Sequence, residues 1–372
     1  MGGKKIIENV ISEAQDLSVY DVGETIRGLA LKVGKEESEI LKLNSNENFF
    51  VPLDFIRSIL RQVIEEVDPR VYPRDEFKEL REAIGKSHDI PPDNVVIGTG
   101  SDQLIDLTSR IFLRSGDEAL SIEPTFAIYE RSVRIQGAFY RRIPLRCDFS
   151  LDVDKMLSSI SPRTKVIFLC SPNNPTANQL GREEILRLAE NFNGLVAVDE
   201  AYADFAAATL LDAASDLENL IVFRTFSKVF GLAGLRVGYA VANNRLAKII
   251  NERFQMPYMV SVTALKAAVK MLEKMEYIRE LVSELKIERS KLIDALNGIR
   301  GVRAFPSETN FVLFQVNRDS TSVYRALLER GIIIREVGSV LKFRNCLRVT
   351  VAPDPMMNRF ITMLREVLDE DA

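Results

Sequence analysis

LIVFRTFSKVFGLAGLRVGY, residues 220–239, joins an apolar run to a group of polar side chains and indicates the kind of fold. Leu220–Phe223 is short and continuously apolar, as expected for a strand that is buried on both faces of a sheet. Arg224–Lys228 follows it directly, and Arg236 lies eight residues beyond Lys228. In open α/β sheets, ligands bind beyond the carboxyl ends of the strands. We therefore expect the residues after this strand to line a site.

The chain upstream repeats this pattern of buried strands and amphipathic helices. Three further apolar runs are predicted strands: Val95–Gly98, Lys165–Cys170 and Leu195–Val198. One helix is expected to begin at Ser101, and another to present apolar side chains from Ile185 to Phe192 on one face. Strands that alternate with helices predict the α/β class, with a central sheet that is covered by helices.

The chain after Pro257 has a different pattern, which predicts a smaller α+β lobe. A long helical stretch runs to about Asn297 and is expected to connect the lobes. Later elements are predicted strands at Phe311–Gln315, Ile332–Ile334 and Leu347–Val351, a helix through Leu327 and Leu328, and a last helix with Met357, Phe360, Leu364 and Val367 on one face.

The first forty residues are polar and irregular, which indicates an arm that packs on something else. We expect residues 1–50 to form this arm and part of the small lobe. Residues 51–258 are expected to form the large, cofactor-binding domain. Residues 259–372 are expected to form the linker helix and the small C-terminal domain.

Composition excludes several classes of function. The chain has 372 residues with 46% hydrophobic content, which is enough to bury a large core. Its 49 basic and 53 acidic residues leave a net charge of −4, so we expect neither nucleic acid nor an anionic membrane as partner. No apolar run approaches the length of a membrane-spanning helix, and the N-terminus does not resemble a secretory signal. Three widely separated cysteines form no metal or disulfide pattern and fit the cytoplasm.

The single histidine, His88, excludes a multi-histidine metal site, and no metal is expected. It lies in a polar stretch, KSHDIPPDN, which predicts an exposed residue on a loop. We therefore assign proton transfer to a lysine, a carboxylate or a tyrosine.

Four successive predicted strands are each followed by a polar cluster, and together these clusters predict one pocket. The clusters are Thr99–Asp102, Ser171–Thr176, Asp199–Tyr202 and Arg224–Lys228. Each alone is also compatible with a turn, a helix cap or a solvated surface lysine. Their joint occurrence in this order favours a site for pyridoxal 5′-phosphate (PLP), which we predict as the cofactor.

PLP needs a lysine amine that holds it as an imine and a carboxylate that keeps its pyridine nitrogen protonated. Lys228 and Asp199 supply these two groups. The phosphate needs a shell of donors and a helix N-terminus. The residues expected to supply that shell are Thr225, Ser227, Arg236, Ser101 and Asp102.

The sequence resembles the fold-type-I PLP-dependent aminotransferases, specifically the histidinol-phosphate aminotransferase branch. The similarity runs from Leu43–Asn48 (LNSNEN) to the last helix and is most specific in Arg224–Tyr239. It implies the aspartate aminotransferase-like fold, with a mostly parallel central sheet in the large domain. It also implies transamination between histidinol phosphate and 2-oxoglutarate, which yields imidazole acetol phosphate and glutamate.

The resemblance further implies a role for individual residues. Lys228 is the Schiff-base lysine, Asp199 the pyridinium partner, and Tyr202 and Asn174 the partners of the phenolic oxygen. The other cofactor-binding residues that it implies are Phe126, which stacks on the ring, Gln103, and Tyr72, which reaches the phosphate of the neighbouring subunit's cofactor. Tyr72 therefore implies a homodimer with shared active sites. The substrate-binding residues are Tyr20, Asn46, Asn174, Arg335 and Arg348, which fit small anionic amino and keto substrates.

Three departures from the family pattern leave the substrate open. Ala177 replaces a glycine, Gln103 replaces a glutamate, and Phe49-Phe50 stand where relatives commonly have a proline. The alternatives are an aromatic amino acid aminotransferase, a PLP decarboxylase of the phosphothreonine type, and a dimeric binding protein without activity.

Overall fold

The protein is described here from a computed structural model, in which residues 2–15, 17, 19 and 23–369 are described. The helices among these residues are α1 Gly2–Gln15, α2 Ile26–Val33, α3 Leu53–Glu66, α4 Asp75–His88, α5 Ser101–Phe112, α6 Ile128–Ile135, α7 Val153–Ser158, α8 Arg182–Glu190, α9 Leu211–Asp216, α10 Asn244–Ile249, α11 Val262–Leu272, α12 Met275–Asn297, α13 Ser320–Glu329 and α14 Asp354–Asp369. The strands are β1 Leu41–Lys42, β2 Val95–Gly98, β3 Glu118–Glu123, β4 Phe139–Pro144, β5 Thr164–Cys170, β6 Leu195–Asp199, β7 Leu220–Thr225, β8 Gly238–Ala242, β9 Val302–Ala304, β10 Phe311–Val316, β11 Ile332–Ile333, β12 Arg335–Val340 and β13 Phe343–Thr350.

A seven-stranded sheet, in the order β2-β8-β7-β6-β5-β3-β4, forms the centre of the larger part of the described chain. Strands β4, β3, β5, β6 and β7 pair in parallel, whereas β8 is antiparallel to both of its neighbours. Strands β6 and β7 are buried along their whole length because helices cover both faces. The predicted α/β fold with a mostly parallel sheet is therefore confirmed.

The register of this sheet aligns the ends of the strands that carry polar residues. Cys170 at the end of β5 pairs with Asp199 at the end of β6, and Asp199 pairs with Phe223 in β7. The N-terminus of α5 lies against β8, where a Cβ on Gly238 would come within 2.6 Å of the Ser101 amide nitrogen. Glycine at this position therefore lets the helix end approach the sheet edge.

The C-terminal part of the chain forms a separate antiparallel sheet in the order β12-β13-β10-β9. The early strand β1 pairs in parallel with β11, and Thr350 at the end of β13 donates its amide to the Leu43 carbonyl at 2.9 Å. Residues 41–43 are therefore built into this part of the molecule. That attachment places the residues that follow them above the ends of the central strands.

Several elements differ from the sequence-based expectations. The first forty residues are not irregular throughout, since α1 and α2 lie there and Thr25 caps α2 by accepting the Gly28 amide at 3.0 Å. The single long helix predicted after Pro257 is two helices in the structure. Helix α11 packs against α3 and α4, whereas α12 packs against the C-terminal sheet. Strands β1, β3, β4, β8, β9 and β12 were not anticipated. No helix within the described ranges combines the length and apolarity that crossing a membrane requires.

Candidate active site

A cavity of about 500 Å³ lies at the carboxyl ends of the central strands. Its walls bring together the polar clusters that the sequence singled out: Ser101 and Asp102, Asn174, Asp199 and Tyr202, and Thr225, Ser227 and Lys228. Phe126 and Arg236 line the same cavity. The opposite wall comes from residues 44–47 and from Arg335, Glu336, Val337 and Arg348. The volume lies within the range of small-molecule sites.

Lys228 projects into this cavity from the turn after β7. Its Nζ donates a hydrogen bond to the Ser45 carbonyl oxygen at 3.0 Å and lies 5.7 Å from the centre of the Tyr202 ring. Burial, followed by the positive charge of Arg348, lowers the pKa of Lys228 to about 8. An amine with a lowered pKa is partly neutral near neutral pH, and only the neutral amine is nucleophilic.

Asp199 is the buried carboxylate of the site, at the end of β6 and 2% exposed. It accepts hydrogen bonds from the Tyr129 hydroxyl at 2.9 Å and from the Ala201 amide at 3.1 Å. Burial raises the pKa of Asp199 to about 6, although the Tyr129 hydrogen bond acts in the opposite direction. A cationic group beside this carboxylate would offset the cost of its burial.

An anion-binding cradle borders the other end of the cavity. Ser101 begins α5, whose N-terminal amides and dipole favour a negative charge. The Arg236 guanidinium donates to Ser227 Oγ at 3.3 Å and to Asp102 Oδ2 at 3.4 Å. Thr225 Oγ1 donates to Ser227 Oγ at 3.0 Å. Hydroxyls, a guanidinium and a helix N-terminus together suit a phosphate dianion.

A third group of side chains connects the central sheet to the C-terminal lobe. The Tyr202 hydroxyl accepts a hydrogen bond from Asn46 Nδ2 at 2.9 Å, and burial raises the pKa of Tyr202 above its usual value. Arg348 donates to Asn174 Oδ1 and, at 2.7 Å, to the Asn44 carbonyl oxygen. Its guanidinium therefore lies next to the amide that the sequence assigned to the cofactor.

Comparison with known proteins places the chain in a family. Residues 38–364 match the family "Aminotransferase class I and II". The histidinol-phosphate aminotransferase of Thermoanaerobacter sp. (strain X514) is 38% identical over 329 residues, which cover 88% of this chain and 93% of that protein. The chain belongs to the class I and II aminotransferases.

Two further comparisons extend over nearly the whole aminotransferase chain. The histidinol-phosphate aminotransferase of Methanosarcina mazei (strain ATCC BAA-159 / DSM 3647 / Goe1 / Go1 / JCM 11833 / OCM 88) is 37% identical over 364 residues, which cover 97% of this chain and 96% of that protein. The crystal structure of histidinol-phosphate aminotransferase from Sinorhizobium meliloti in complex with pyridoxal-5′-phosphate has a TM-score of 0.86 and 24% identity, and covers 97% of both chains. The second comparison supports the fold.

Two of the residues expected at this aminotransferase's site are not part of the cavity wall. The Gln103 side chain instead accepts the Thr99 amide at 3.3 Å and donates to Gln255 at 3.1 Å, so it closes the turn between β2 and α5. Tyr72 is 73% exposed and stacks on Tyr258 at 4.7 Å between ring centres. Tyr20 lies outside the described residues.

Other features of the site were missed or misjudged. Tyr129 holds Asp199 from α6, and its sequence context PTFAIY contained no signal for that contact. Ala177 adopts a φ of +65°, which explains why glycine is usual at this position.

The prediction that His88 is an exposed loop residue was wrong, because it ends α4 and lies 2.8 Å from the Tyr239 hydroxyl. Burial lowers the pKa of His88 to about 4, and His88 does not line the cavity.

Proposed function

We propose that this chain is a PLP-dependent aminotransferase that transfers an amino group between histidinol phosphate and 2-oxoglutarate. One observation carries the proposal: the cavity that contains Lys228 and Asp199 is also lined by two arginines, Arg335 and Arg348. A site with a partly buried lysine, a buried carboxylate and two guanidinium groups suits amino and keto substrates with carboxylate or phosphate groups. Relatives that are 35–38% identical carry the name of this activity.

The residues of the cavity fit PLP. Asp199 can accept a hydrogen bond from a protonated pyridine nitrogen, and the cradle around Ser227 and Arg236 can hold the phosphate. Asn46 Oδ1 is buried without a hydrogen-bond partner among the described residues, although its side chain lines the cavity. A buried acceptor without a donor is costly, so this atom is accounted for by a donor on a bound molecule. When bound, PLP supplies an electron sink for the bonds at the substrate's α carbon.

Lys228 performs two tasks in this proposal. Its amine, with a lowered pKa, would hold the cofactor when PLP is bound. As a free amine, Lys228 would move a proton at the substrate Cα. The Ser45 carbonyl, 3.0 Å from Nζ, keeps the free amine inside the cavity rather than in solvent. No histidine lines the described cavity to share this work.

The arginines choose the class of substrate. Arg348 is only 8% exposed and is held by Asn174 and the Asn44 carbonyl, so its guanidinium is oriented before substrate binds. Arg335 enters the cavity from β12, beside Glu336 and Val337. We assign the carboxylates of glutamate and the phosphate of histidinol phosphate to these two side chains. Two guanidinium groups offer more charge-assisted hydrogen bonds to a phosphate than to the carboxylate of an aromatic amino acid, so they favour a phosphorylated substrate.

Turnover of histidinol phosphate against phenylalanine tests the substrate. With 2-oxoglutarate as acceptor, we expect kcat/KM to be higher for histidinol phosphate by a factor of at least about 100, because a phosphate offers more charge and more acceptor oxygens to the two guanidinium groups than the phenylalanine carboxylate does. Equal or reversed preference would favour the aromatic aminotransferase. Release of carbon dioxide from phosphothreonine, without amino transfer, would favour the decarboxylase.

We also propose that the protein is a homodimer with shared active sites. Apolar side chains are exposed around Tyr72: Val71 is 63%, Met256 62% and Tyr258 43% exposed. Exposed apolar surface of this kind marks interaction sites. Sedimentation should give twice the chain mass, and Met256→Asp should shift the equilibrium towards monomer. A monomer at micromolar concentration would contradict this proposal.

We propose a reducing, cytoplasmic location. Cys147, Cys170 and Cys346 are free thiols, and Cys170 and Cys346 are buried. Proteins of oxidising compartments commonly use cysteines as disulfides, and this chain does not. Fractionation of the native cells would test the location, since recovery outside the cytoplasm contradicts it.

A further inference from the structure

A short segment, residues 44–48, connects the C-terminal lobe to the central sheet, and we call it the bridge segment. Its Ser45 carbonyl accepts the Lys228 amine, and Asn48 Nδ2 donates to the Val229 carbonyl at 2.9 Å. Between them lies Asn46, which is 2% exposed and donates from Nδ2 to the Tyr202 hydroxyl at 2.9 Å. The bridge segment therefore contacts the turn that carries Lys228 and the side chain of Tyr202.

Groups of the C-terminal lobe hold Asn46 in place. The backbone amide of Asn46 donates to Thr350 Oγ1 at 3.0 Å, and its backbone carbonyl accepts from Asn310 Nδ2 at 2.9 Å. Thr350 Oγ1 in turn donates to the Leu43 carbonyl at 2.8 Å. The backbone of Asn46 has a φ of +54°, a conformation that asparagine, aspartate and glycine tolerate better than other residues. Neither Thr350 nor Asn310 lines the cavity.

The direction of one hydrogen bond gives this arrangement a chemical consequence. A tyrosine hydroxyl has one hydrogen to donate, and it can accept hydrogen bonds as well. The side-chain amide of Asn46 donates to the Tyr202 oxygen, so the Tyr202 hydroxyl hydrogen does not point at Asn46. That hydrogen is free to point into the cavity. We propose that Asn46 is a positioning residue that directs the Tyr202 hydroxyl hydrogen towards the bound cofactor, and that the C-terminal lobe sets Asn46 for this task.

This inference rests on the proposed function for the identity of the cofactor. PLP bound to a lysine has a visible absorption band that titrates, and its deprotonated form carries more negative charge on the phenolic oxygen. A donor at that oxygen stabilises the deprotonated form and lowers the pKa of the band. If Asn46 directs the donor, reversing its hydrogen bond must raise that pKa. The reversal must act through the Tyr202 hydroxyl.

A double-mutant cycle on the PLP-loaded protein tests this. Asn46→Asp keeps the shape and tolerates the backbone conformation, but its carboxylate accepts the Tyr202 hydrogen instead of donating. We expect Asn46→Asp to raise the pKa of the visible band by about one pH unit more in the native background than in Tyr202→Phe. The Tyr202→Phe background removes the hydroxyl and leaves only the effect of the added charge. Equal shifts in the two backgrounds would overturn the inference.

A second pair of variants reaches Asn46 from outside the cavity. Thr350→Val removes the hydroxyl that accepts the hydrogen bond from the Asn46 backbone amide, and Thr350→Ser keeps this hydroxyl. We expect Thr350→Val to raise the pKa of the band in the native background and not in Tyr202→Phe, whereas Thr350→Ser leaves it unchanged. The charged groups that face the cavity are unaltered in both: Glu47, Asp102, Asp199, Arg236, Arg335, Glu336 and Arg348.

The possible outcomes separate this inference from the proposed function. A chain that develops no visible band with PLP contradicts the proposed function itself. A band whose pKa responds equally in both Tyr202 backgrounds leaves the proposed function standing and removes the role of Asn46. A shift with Thr350→Ser as large as with Thr350→Val would also overturn it, because packing rather than the hydroxyl would then be responsible.

Discussion

Replacement of Asp199 by asparagine should stabilise the cofactor-free protein at neutral pH while it removes function. Asp199 is buried and has two hydrogen-bond donors, Tyr129 and Ala201, but no cationic side chain donates to it among the described contacts. Burial therefore raises the pKa of its carboxyl from 3.8 to about 6. The charge that would pair with a pyridinium in the proposed function is a cost to the cofactor-free fold.

The magnitude follows from the pKa shift. A group whose pKa is raised on folding contributes stability below its unfolded pKa and loses it as the pH rises through its folded pKa. A shift from 3.8 to about 6 corresponds to roughly 3 kcal/mol in all, at 1.36 kcal/mol per unit. Integrated between pH 4.5 and pH 7.5, the wild-type protein should lose about 2 kcal/mol that Asp199→Asn does not lose.

The assay is denaturant unfolding of both cofactor-free proteins at several pH values, and the observable is their difference. The difference is needed because His88, whose pKa is lowered to about 4, acts in the opposite direction in the same pH range. Its contribution cancels between the two proteins. Parallel stability curves for wild type and Asp199→Asn from pH 4.5 to pH 7.5 would refute the reasoning. A titration with PLP completes the test, since Asp199→Asn should bind it more weakly.

Three further predictions concern other residues. Lys228→Ala should lose the visible band and all turnover with PLP present, and retained turnover would remove its role. Arg348→Gln should lower kcat/KM for glutamate by about 10- to 100-fold, and Arg348→Lys should not restore it, because a point charge does not replace an oriented guanidinium. Glu200→Gln should destabilise the protein by about 1–3 kcal/mol, because Arg224, 2.9 Å from Glu200, loses a buried partner and keeps the less buried Asp204 at 3.1 Å. Asp212→Asn, which breaks the exposed pair with Arg182, is its control and should cost under about 1 kcal/mol.

The cofactor side of the cavity was predictable because it depends on local order along the chain. A parallel sheet brings the carboxyl ends of its strands to one edge, so residues directly after β5, β6 and β7 meet whatever the details of packing. Asn174, Asp199 and Lys228 needed only the strand assignments, which were right within one or two residues. Strand β8 escaped prediction because GYAVA is short and continues a run of glycine and apolar residues.

The rest of the site could not be read from the sequence because it depends on long-range contacts. Tyr129 reaches Asp199 across 70 residues, and the bridge segment joins Thr350 across 304 residues. His88 was misplaced for a similar reason, since its partner Tyr239 is 151 residues away. Polar flanking residues correctly indicated a chain turn after His88, but not that its ring packs inward.

The division of the site between two parts of the fold also explains where specificity can change. Residues after the central strands are held by the sheet, so their spacing depends on the register of β5, β6 and β7. Arg335 and Arg348 lie on the neighbouring strands β12 and β13, where they pair in register. The backbone at both arginines moves with the C-terminal sheet. The bridge segment moves with the same sheet, because Thr350 binds it. A shift of this lobe would therefore alter the proposed substrate anchors and the Tyr202 hydrogen bond together, which would couple substrate binding to the chemistry at Lys228.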